Sequence, residues 1–511
     1  MKSKRWTNMI GPILCILFFA LHLSGAQTTV GVSPTAKNVL PGSVFTLNVN
    51  VNNVTNLHLY HVVVHFDNTI LRCESVISGS FFPGVFFMYD PSTLPSDTAR
   101  FVTVDDALIQ TQTRSGSGSF FSIQFTALQS GVSSVSLVEV VLRNGQNQNI
   151  AHSLVHGSVV VTNPAVVYVD PAYTPGNAGG HDYGFDAFST LNGGVSAVIA
   201  GGTVNVASAE YAENITLAKN LTLSAMSGTP TIQDLTLNTP AVTLGGNFKV
   251  NNTLTFTSGY ILLGSSNLTL GASGSVSGAS SSSFIVTNGT GKLVRLGVGT
   301  TSVAFPIGSS TTSYNPVTLK TENGTDDFSA RVIGSVFPST ANDETAVKRT
   351  WDLSEGTTGG NGIITFSVQW NTEHEGSLFN HVSAVPYRNT GGTWVPEGVL
   401  TGPITGSDPW VATVDAPSGL NSWTIGNETG GLPIQLASFT GSVLRSGNVA
   451  LIWVTLSEVN NYGFYVQRKR INEQAYVEIP NSFVAGHGTT NEPHTYNFTD
   501  IAPGSGAWLY R

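Results

Sequence analysis

Few residues in this chain can move a proton or hold a metal, and those few stand apart. Only 10% of the 511 residues are Asp, Glu, Lys or Arg, so a reactive centre must be sought in short clusters. Glu373-His374-Glu375 and His181-Asp182-Tyr183 have the ligand types of a divalent-cation site. In a strand, alternation puts Glu373 and Glu375 on one face and His374 on the other, so the three cannot converge on one ion. Solvated loops are expected at both places. Asp105-Asp106 supply two carboxylates, as glycoside hydrolysis needs. Adjacent in a strand they face opposite ways, whereas a working pair stands about 5 to 10 Å apart. This pair is expected to begin a turn. Gly116-Ser117-Gly118 runs into a strand and lacks the helix that follows a nucleophile elbow. No phosphate loop leads into a helix. The expectation is no enzyme, no metal and no cofactor.

Side chains this sparse depend on the scaffold that presents them. Gly supplies 55 residues, and Thr, Ser, Asn and Val are frequent, which favours strands and turns over helices. Beyond the N-terminus no stretch of a dozen residues shows a helical period. An all-β, multidomain chain is expected.

The N-terminus predicts the compartment. Lys2, Lys4 and Arg5 precede an apolar run from Met9 to Leu23, and Ser24-Gly25-Ala26 offers small residues for cleavage. Residues 1–26 read as a secretory signal, too short and wrongly flanked for a membrane span. Cys15 lies inside the run, behind Leu14, so no lipid anchor is read there. Cleavage leaves Cys73 alone, expected as a buried small hydrophobe, and no internal disulfide is possible. The full chain carries a formal charge of −9. A charge-poor acidic surface argues against nucleic acid and anionic membranes. The longest basic run, Arg468-Lys469-Arg470, reads as a solvated strand end. No membrane insertion is expected after signal removal.

Residues 28–163 form the most informative piece. Thr46 to Val51 alternates with the period of a half-buried strand, and His61-Val62-Val63-Val64-His65-Phe66 is apolar enough for a central one. The order Gly31-Val32-Ser33-Pro34, Leu40-Pro41-Gly42-Ser43, His65-Phe66-Asp67-Asn68, Ser78-Gly79-Ser80-Phe81-Phe82-Pro83 and Gly157-Ser158-Val159-Val160-Val161 resembles the cohesin family. That resemblance implies a jelly-roll sandwich that docks a partner protein. Cohesins bind dockerins through one sheet face with short polar and apolar side chains. No dockerin calcium loop occurs in this chain, so a partner would be a separate protein. Glycan-binding relatives instead stack exposed aromatics on sugar rings. On that reading Phe82, Phe86 and Tyr89, from the group Phe81-Phe82, Phe86-Phe87 and Tyr89, are the candidate binding residues. The alternative is that they plug the open end of the sandwich.

Asn163-Pro164 marks a linker. Residues 165–300 begin Val167-Tyr168-Val169-Asp170 and pass through Gly201-Gly202-Thr203-Val204 and Tyr211-Ala212-Glu213. This resembles the opening of right-handed parallel β-helices of the pectate-lyase-like kind. Short strands follow, with first leucines at 221, 235, 254 and 268, a spacing that fits coils of two or three strands each. For Gly271 to Ser283 a flexible stalk is an equal alternative. A lyase would need several acids around calcium with a Lys or Arg base. Residues 201–300 hold only Glu210, Glu213 and Asp234 with Lys219, Lys249, Lys292 and Arg295, which is too thin. Tyr211 and Glu213 match a Tyr-x-Glu turn whose usual role is structural.

Residues 301–428, with Trp351, Trp370 and Trp423, suggest an antiparallel sandwich whose tryptophans fill the core. Residues 432–511 open Leu432-Pro433-Ile434-Gln435-Leu436 and continue through Val449-Ala450-Leu451-Ile452-Trp453 to Tyr496-Asn497-Phe498-Thr499-Asp500. This resembles the fibronectin-III-like module preceding the sorting domain of type IX-secreted surface proteins, and is expected to continue beyond Arg511.

The chain is thus expected to be secreted and associated with the cell surface. Its cohesin-like module is expected to bind a dockerin-like protein or an extracellular polysaccharide, with a link to polysaccharide breakdown. A structural stalk or adhesin is the second reading, and a lyase-like enzyme ranks below both.

Overall fold

The computed structural model describes residues 27–82, 86–89, 100–339, 343–358, 362–416, 419–427, 436–456, 458–490 and 492–511. The signal expected at 1–26, and 432–435 of the last piece, lie outside them. The chain divides into two compact units between Asn163 and Pro164. It is almost entirely β-structure.

The first unit contains strands β1 (Thr29–Ser33), β2 (Ala36–Val39), β3 (Val44–His65), β4 (Leu71–Ser78), β5 (Met88–Tyr89), β6 (Phe101–Ala107), β7 (Arg114–Ala127), β8 (Gly131–Asn144), β9 (Ser153–Val155) and β10 (Gly157–Val161). β3 serves two sheets. Its first half pairs with β1 and β7, and its second half with β6 and β8. The break between the halves falls at Asn53 and Asn56, which take φ of 55° and 54°. Asparagine tolerates this left-handed region, and the register shifts beside it let one strand turn the corner of a sandwich. One sheet then runs β9, β1, β3, β7, β4, and the other β2, β10, β8, β3, β6, β5. Between them Tyr60 stacks on Phe120 at 4.2 Å, and Phe66 meets Phe125 edge-on at 5.1 Å.

The second unit opens as a parallel solenoid of about seven turns. Apolar side chains stack from coil to coil, because each coil hides its inward face only against its neighbours. Val167, Val204, Leu223 and Leu244 form one ladder. Ile215, Leu235, Leu254 and Val276 form a second. The four leucines singled out by spacing fall on three ladders: Leu235 and Leu254 pair with each other, Leu221 pairs with Val242, and Leu268 with Phe248. The stalk alternative for 271–283 is overturned, since Ser275–Ser277 and Ser283–Val286 each pair with Thr253–Leu262. A short helix, α1 (Leu191–Ala197), covers the first coils. Gly194 makes its close approach possible, as a Cβ there would lie 2.4 Å from Val169.

The strand Leu293–Val298 is the turning point. It pairs in parallel with the coil before it and antiparallel with Asp326–Ile333 after it. From there two antiparallel sheets face each other. Trp351 of one meets Trp370 of the other at 6.2 Å, and Trp423 meets Phe366 at 5.1 Å. All three tryptophans are fully buried, as expected. In the last piece Val449–Thr455 pairs with Leu436–Val443 and His494–Asp500 around Trp453 and Tyr496. Among the described residues no helix is long and apolar enough to cross a membrane.

Candidate functional site

The second sheet of the first unit presents a face built from β5, β6, β3 and β8. Alternation buries Tyr60, Val62 and Val64 and turns Leu59, His61, Val63 and His65 outward. Register places Asp105 directly opposite His61, and Phe101 opposite His65. His61 Nδ1 lies 2.7 Å from Asp105 Oδ1, and its Nε2 lies 4.0 Å from Glu139 Oε1 on β8. The His65 ring packs on Phe101 at 4.8 Å. A register shift in β8 between Leu137 and Glu139 inserts Val138 as an extra residue. Val138 and Glu139 both point to solvent in consequence. Met88, Phe101, Val132 and Val138 are between 49% and 63% exposed. This is a face with a polar pair at its centre and apolar side chains spread around it.

Asp105 and Asp106 do not begin a turn. Both lie in β6, and they face opposite ways, so they cannot form a glycosidase pair. Asp106 points into the sandwich, where Oδ1 accepts the N–H groups of Ala107 at 2.9 Å and Phe86 at 3.3 Å. Burial pushes its carboxyl above the usual carboxylate range, against those two hydrogen bonds.

The aromatic candidates separate. Phe82 is only 2% exposed and packs edge-on against Tyr60 at 5.3 Å and Phe120 at 6.2 Å. It cannot stack on a ligand without unpacking the core, so its assignment as a binding residue is corrected. Phe86 is half exposed. Tyr89 is half-buried on β5, 6.0 Å from Phe87. The structure brings neither into one row with Phe82. The face residues His61, Asp105, Val138 and Phe101 escaped sequence reasoning. The usable signal was the spacing of His61 and His65, which places both on one side of an otherwise apolar strand.

Residues suspected of chemistry elsewhere hold the fold. Glu213 accepts the N–H groups of Leu191 at 2.8 Å and Asn192 at 3.0 Å, at the start of α1. Lys219 donates to the carbonyls of Ser196 and Val198 at the other end. Both charges oppose the helix dipole as required. Tyr211 donates to the carbonyls of Val169 and Ala207, and Asp234 accepts from Thr253 N–H at 3.0 Å. Arg295 ends the ladder Ile232, Val250, Leu270, giving its guanidinium to the carbonyls of Ala304 and Gly274 at 2.8 Å each.

The sequence Glu373-His374-Glu375 is neither a strand nor a solvated loop. Thr372–His374 form a 3₁₀ turn, His374 is buried, and Glu375 accepts from Trp370 at 2.8 Å while lying 2.9 Å from His381 Nε2. His181 lies in a loop, half-buried, stacked on Tyr168 at 3.7 Å. Arg468 and Arg470 are not simply solvated: each guanidinium lies over Trp508, at 4.8 and 4.6 Å. Cys73 is fully buried, and burial pushes its thiol up to about 12. Among the described residues no three His, Cys, Asp or Glu side chains converge as a metal site.

Residues 30–161 match the family model of the Cohesin domain. No curated protein matches the chain. Similar solved structures include a non-cellulosomal cohesin from the archaeon Archaeoglobus fulgidus, at 18% identity and a TM-score of 0.24, covering 27% of this chain and 92% of that one. The sixth cohesin of Acetivibrio cellulolyticus scaffoldin B, in complex with a Cel5 dockerin, is 16% identical with a TM-score of 0.24, covering 26% of this chain and 99% of that one. CaCohA2 from Clostridium acetobutylicum is 15% identical with a TM-score of 0.23, covering 27% and 92%.

Proposed function

We propose that the cohesin domain at residues 30–161 holds a separate protein of the dockerin kind on the outward face of β5, β6, β3 and β8. The observation that carries this reading is the face itself: the His61–Asp105 pair with Met88, Phe101, Val132 and Val138 exposed around it. Apolar side chains gathered on one face mark an interaction surface, and a polar pair among them fixes orientation. The family match supplies the class of partner. Buried Phe82 leaves the sugar-stacking alternative without its central ring.

In this reading the signal at 1–26 and the type IX-like last module take the protein to the cell surface. The chain holds rather than converts. A polysaccharide ligand, and a stalk or adhesin without a partner, are the competing readings. The test presents the immobilised full chain to a panel of calcium-loaded dockerins and to a glycan array. A dockerin binding with Kd below about 1 μM, lost in the Phe101→Asp, Val138→Asp double variant, is expected. Glycan binding without any dockerin, or dockerin binding untouched by the double variant, would sink the reading.

A further inference from the structure

The second unit contains a polar cleft of about 560 Å³ whose floor is a cation with no carboxylate within ion-pair distance among the described residues. Ser309, Ser310 and Thr312 of one hairpin form its rim, Gly334 and Lys348 its sides, and Ser313, Arg349 and His374 its floor, with Glu373 at the edge. Arg349 is 9% exposed. Its Nε donates to Asn315 Oδ1 at 3.1 Å, its Nη1 to the carbonyls of Gly334 at 3.2 Å and Lys348 at 2.6 Å, and its Nη2 to Ser313 Oγ at 2.9 Å. A guanidinium has five N–H groups, so one on Nη2, beside Ser313 at the floor, has no acceptor among the described residues. Nor does any described carboxylate lie within ion-pair distance of it. A buried charge satisfied only by neutral oxygens is costly, and burial pushes this guanidinium down to about 10.

Two titratable neighbours, His374 and Glu373, leave that charge only partly compensated: Glu373 attracts it, but less than burial disfavours it. His374 Nδ1 accepts the N–H of Asn371 at 3.2 Å and lies 3.2 Å from Asn315 Nδ2. Its proton therefore sits on Nε2, 3.3 Å from Glu373 Oε1. Burial and the Arg349 charge hold the imidazole down at about 4, so it stays neutral and occupies Glu373, whose side chain is 70% exposed. Lys348 adds a second cation to the wall, shared with Glu344 outside the cleft at 3.2 Å.

We infer that this cleft binds a small hydroxylated molecule carrying one oxyanion, of the acidic-sugar class. The oxyanion, a carboxylate or a sulfate, takes the free N–H of Arg349 and the charge of Lys348. The hydroxyls of Ser309, Ser310 and Thr312 meet the ligand's own. The site is separate from the cohesin face and independent of what that face holds.

The test titrates the full chain with glucuronate, glucose 6-sulfate, glucose and inorganic sulfate, read by calorimetry or saturation-transfer NMR. At least one acidic sugar is expected to bind with a Kd below about 10 mM and to weaken with added salt. Comparing the two acidic sugars separates carboxylate from sulfate. Ser310→Asp, on the exposed rim, should weaken binding about tenfold or more by like charge, with the melting temperature unchanged. Glu373→Gln should tighten it several-fold, an effect a purely structural arginine would not produce. Arg349→Met should abolish binding, and the two rim variants carry the test if that protein fails to fold. No saturation by either acidic sugar, equal binding of glucose, equal binding of inorganic sulfate, or indifference to Ser310→Asp would each overturn the inference.

Discussion

His61 and Asp105 meet across β3 and β6 with 2.7 Å between Nδ1 and Oδ1, at the centre of the outward sheet face. Their side chains are 28% and 44% exposed, so solvent screens the pair and it contributes little to folding. Asp105→Asn should therefore change stability by no more than about 0.5 kcal/mol. Its effect belongs in partner affinity, because the pair fixes a polar centre among apolar contacts. Urea melts of the variant beside dockerin titrations separate the two. A large loss of stability would make the pair structural and remove it from the proposed interface.

Phe82 and Phe86 are close in sequence and should behave oppositely. Phe82→Ala deletes a ring packed on Tyr60 and Phe120 and should cost about 3 to 5 kcal/mol. Phe86→Ala removes a half-exposed ring and should stay within about 0.5 kcal/mol. Denaturant midpoints read by near-UV circular dichroism check both, and similar midpoints would contradict the placement of Phe82.

Much of the fold was legible because strand alternation and coil stacking are local patterns. Thr46 to Val51 reads as a half-buried strand and is one. The tryptophans at 351, 370 and 423 read as core and are core. What sequence could not carry was register. The four leucines at 221, 235, 254 and 268 look like one series, yet only Leu235 and Leu254 share a ladder, because spacing in sequence does not fix which strands of successive coils lie side by side. Asp105 looks like a turn residue until β6 is paired with β3. Val138 looks like an ordinary strand position until a one-residue shift in β8 turns it out. The proposed binding face depends on such pairings, so it appears only when the strands are side by side. The assignment of Phe82 failed for a related reason: a cluster of aromatics does not say which of its members the core takes.

Glu213 and Lys219, two of the few charged residues a lyase reading could draw on, sit at opposite ends of α1. Glu213→Ala should therefore act on stability, costing about 1 to 2 kcal/mol through two orphaned helix N–H groups. Glu213→Gln, which keeps one acceptor, should cost less. Thermal unfolding of the variants checks the order. Turnover of pectin or alginate by the wild type, lost in Glu213→Gln, would instead make the residue catalytic.

Glu458 gives the last piece its own acid sensitivity. It is fully buried, and burial alone would push its carboxyl up. Hydrogen bonds from Thr455 at 2.6 Å, from Tyr496, from the N–H of His487 at 3.0 Å and from Asn461 at 2.8 Å outweigh this and hold it down at about 2. A carboxyl depressed in the folded state binds its proton more readily when unfolded. Its stabilisation is complete above the ordinary glutamate range near pH 4.5 and is lost as pH falls from there toward about 2. Glu458→Ala removes the shared acceptor of four donors and should cost on the order of 3 kcal/mol at neutral pH. It should also flatten the decline in stability between about pH 4.5 and 2, since the group that titrates there is gone. Tryptophan fluorescence, through Trp453 stacked on Tyr496 at 5.6 Å, follows the unfolding of this piece. An acid profile unchanged by the substitution would show that other carboxylates set the acid limit.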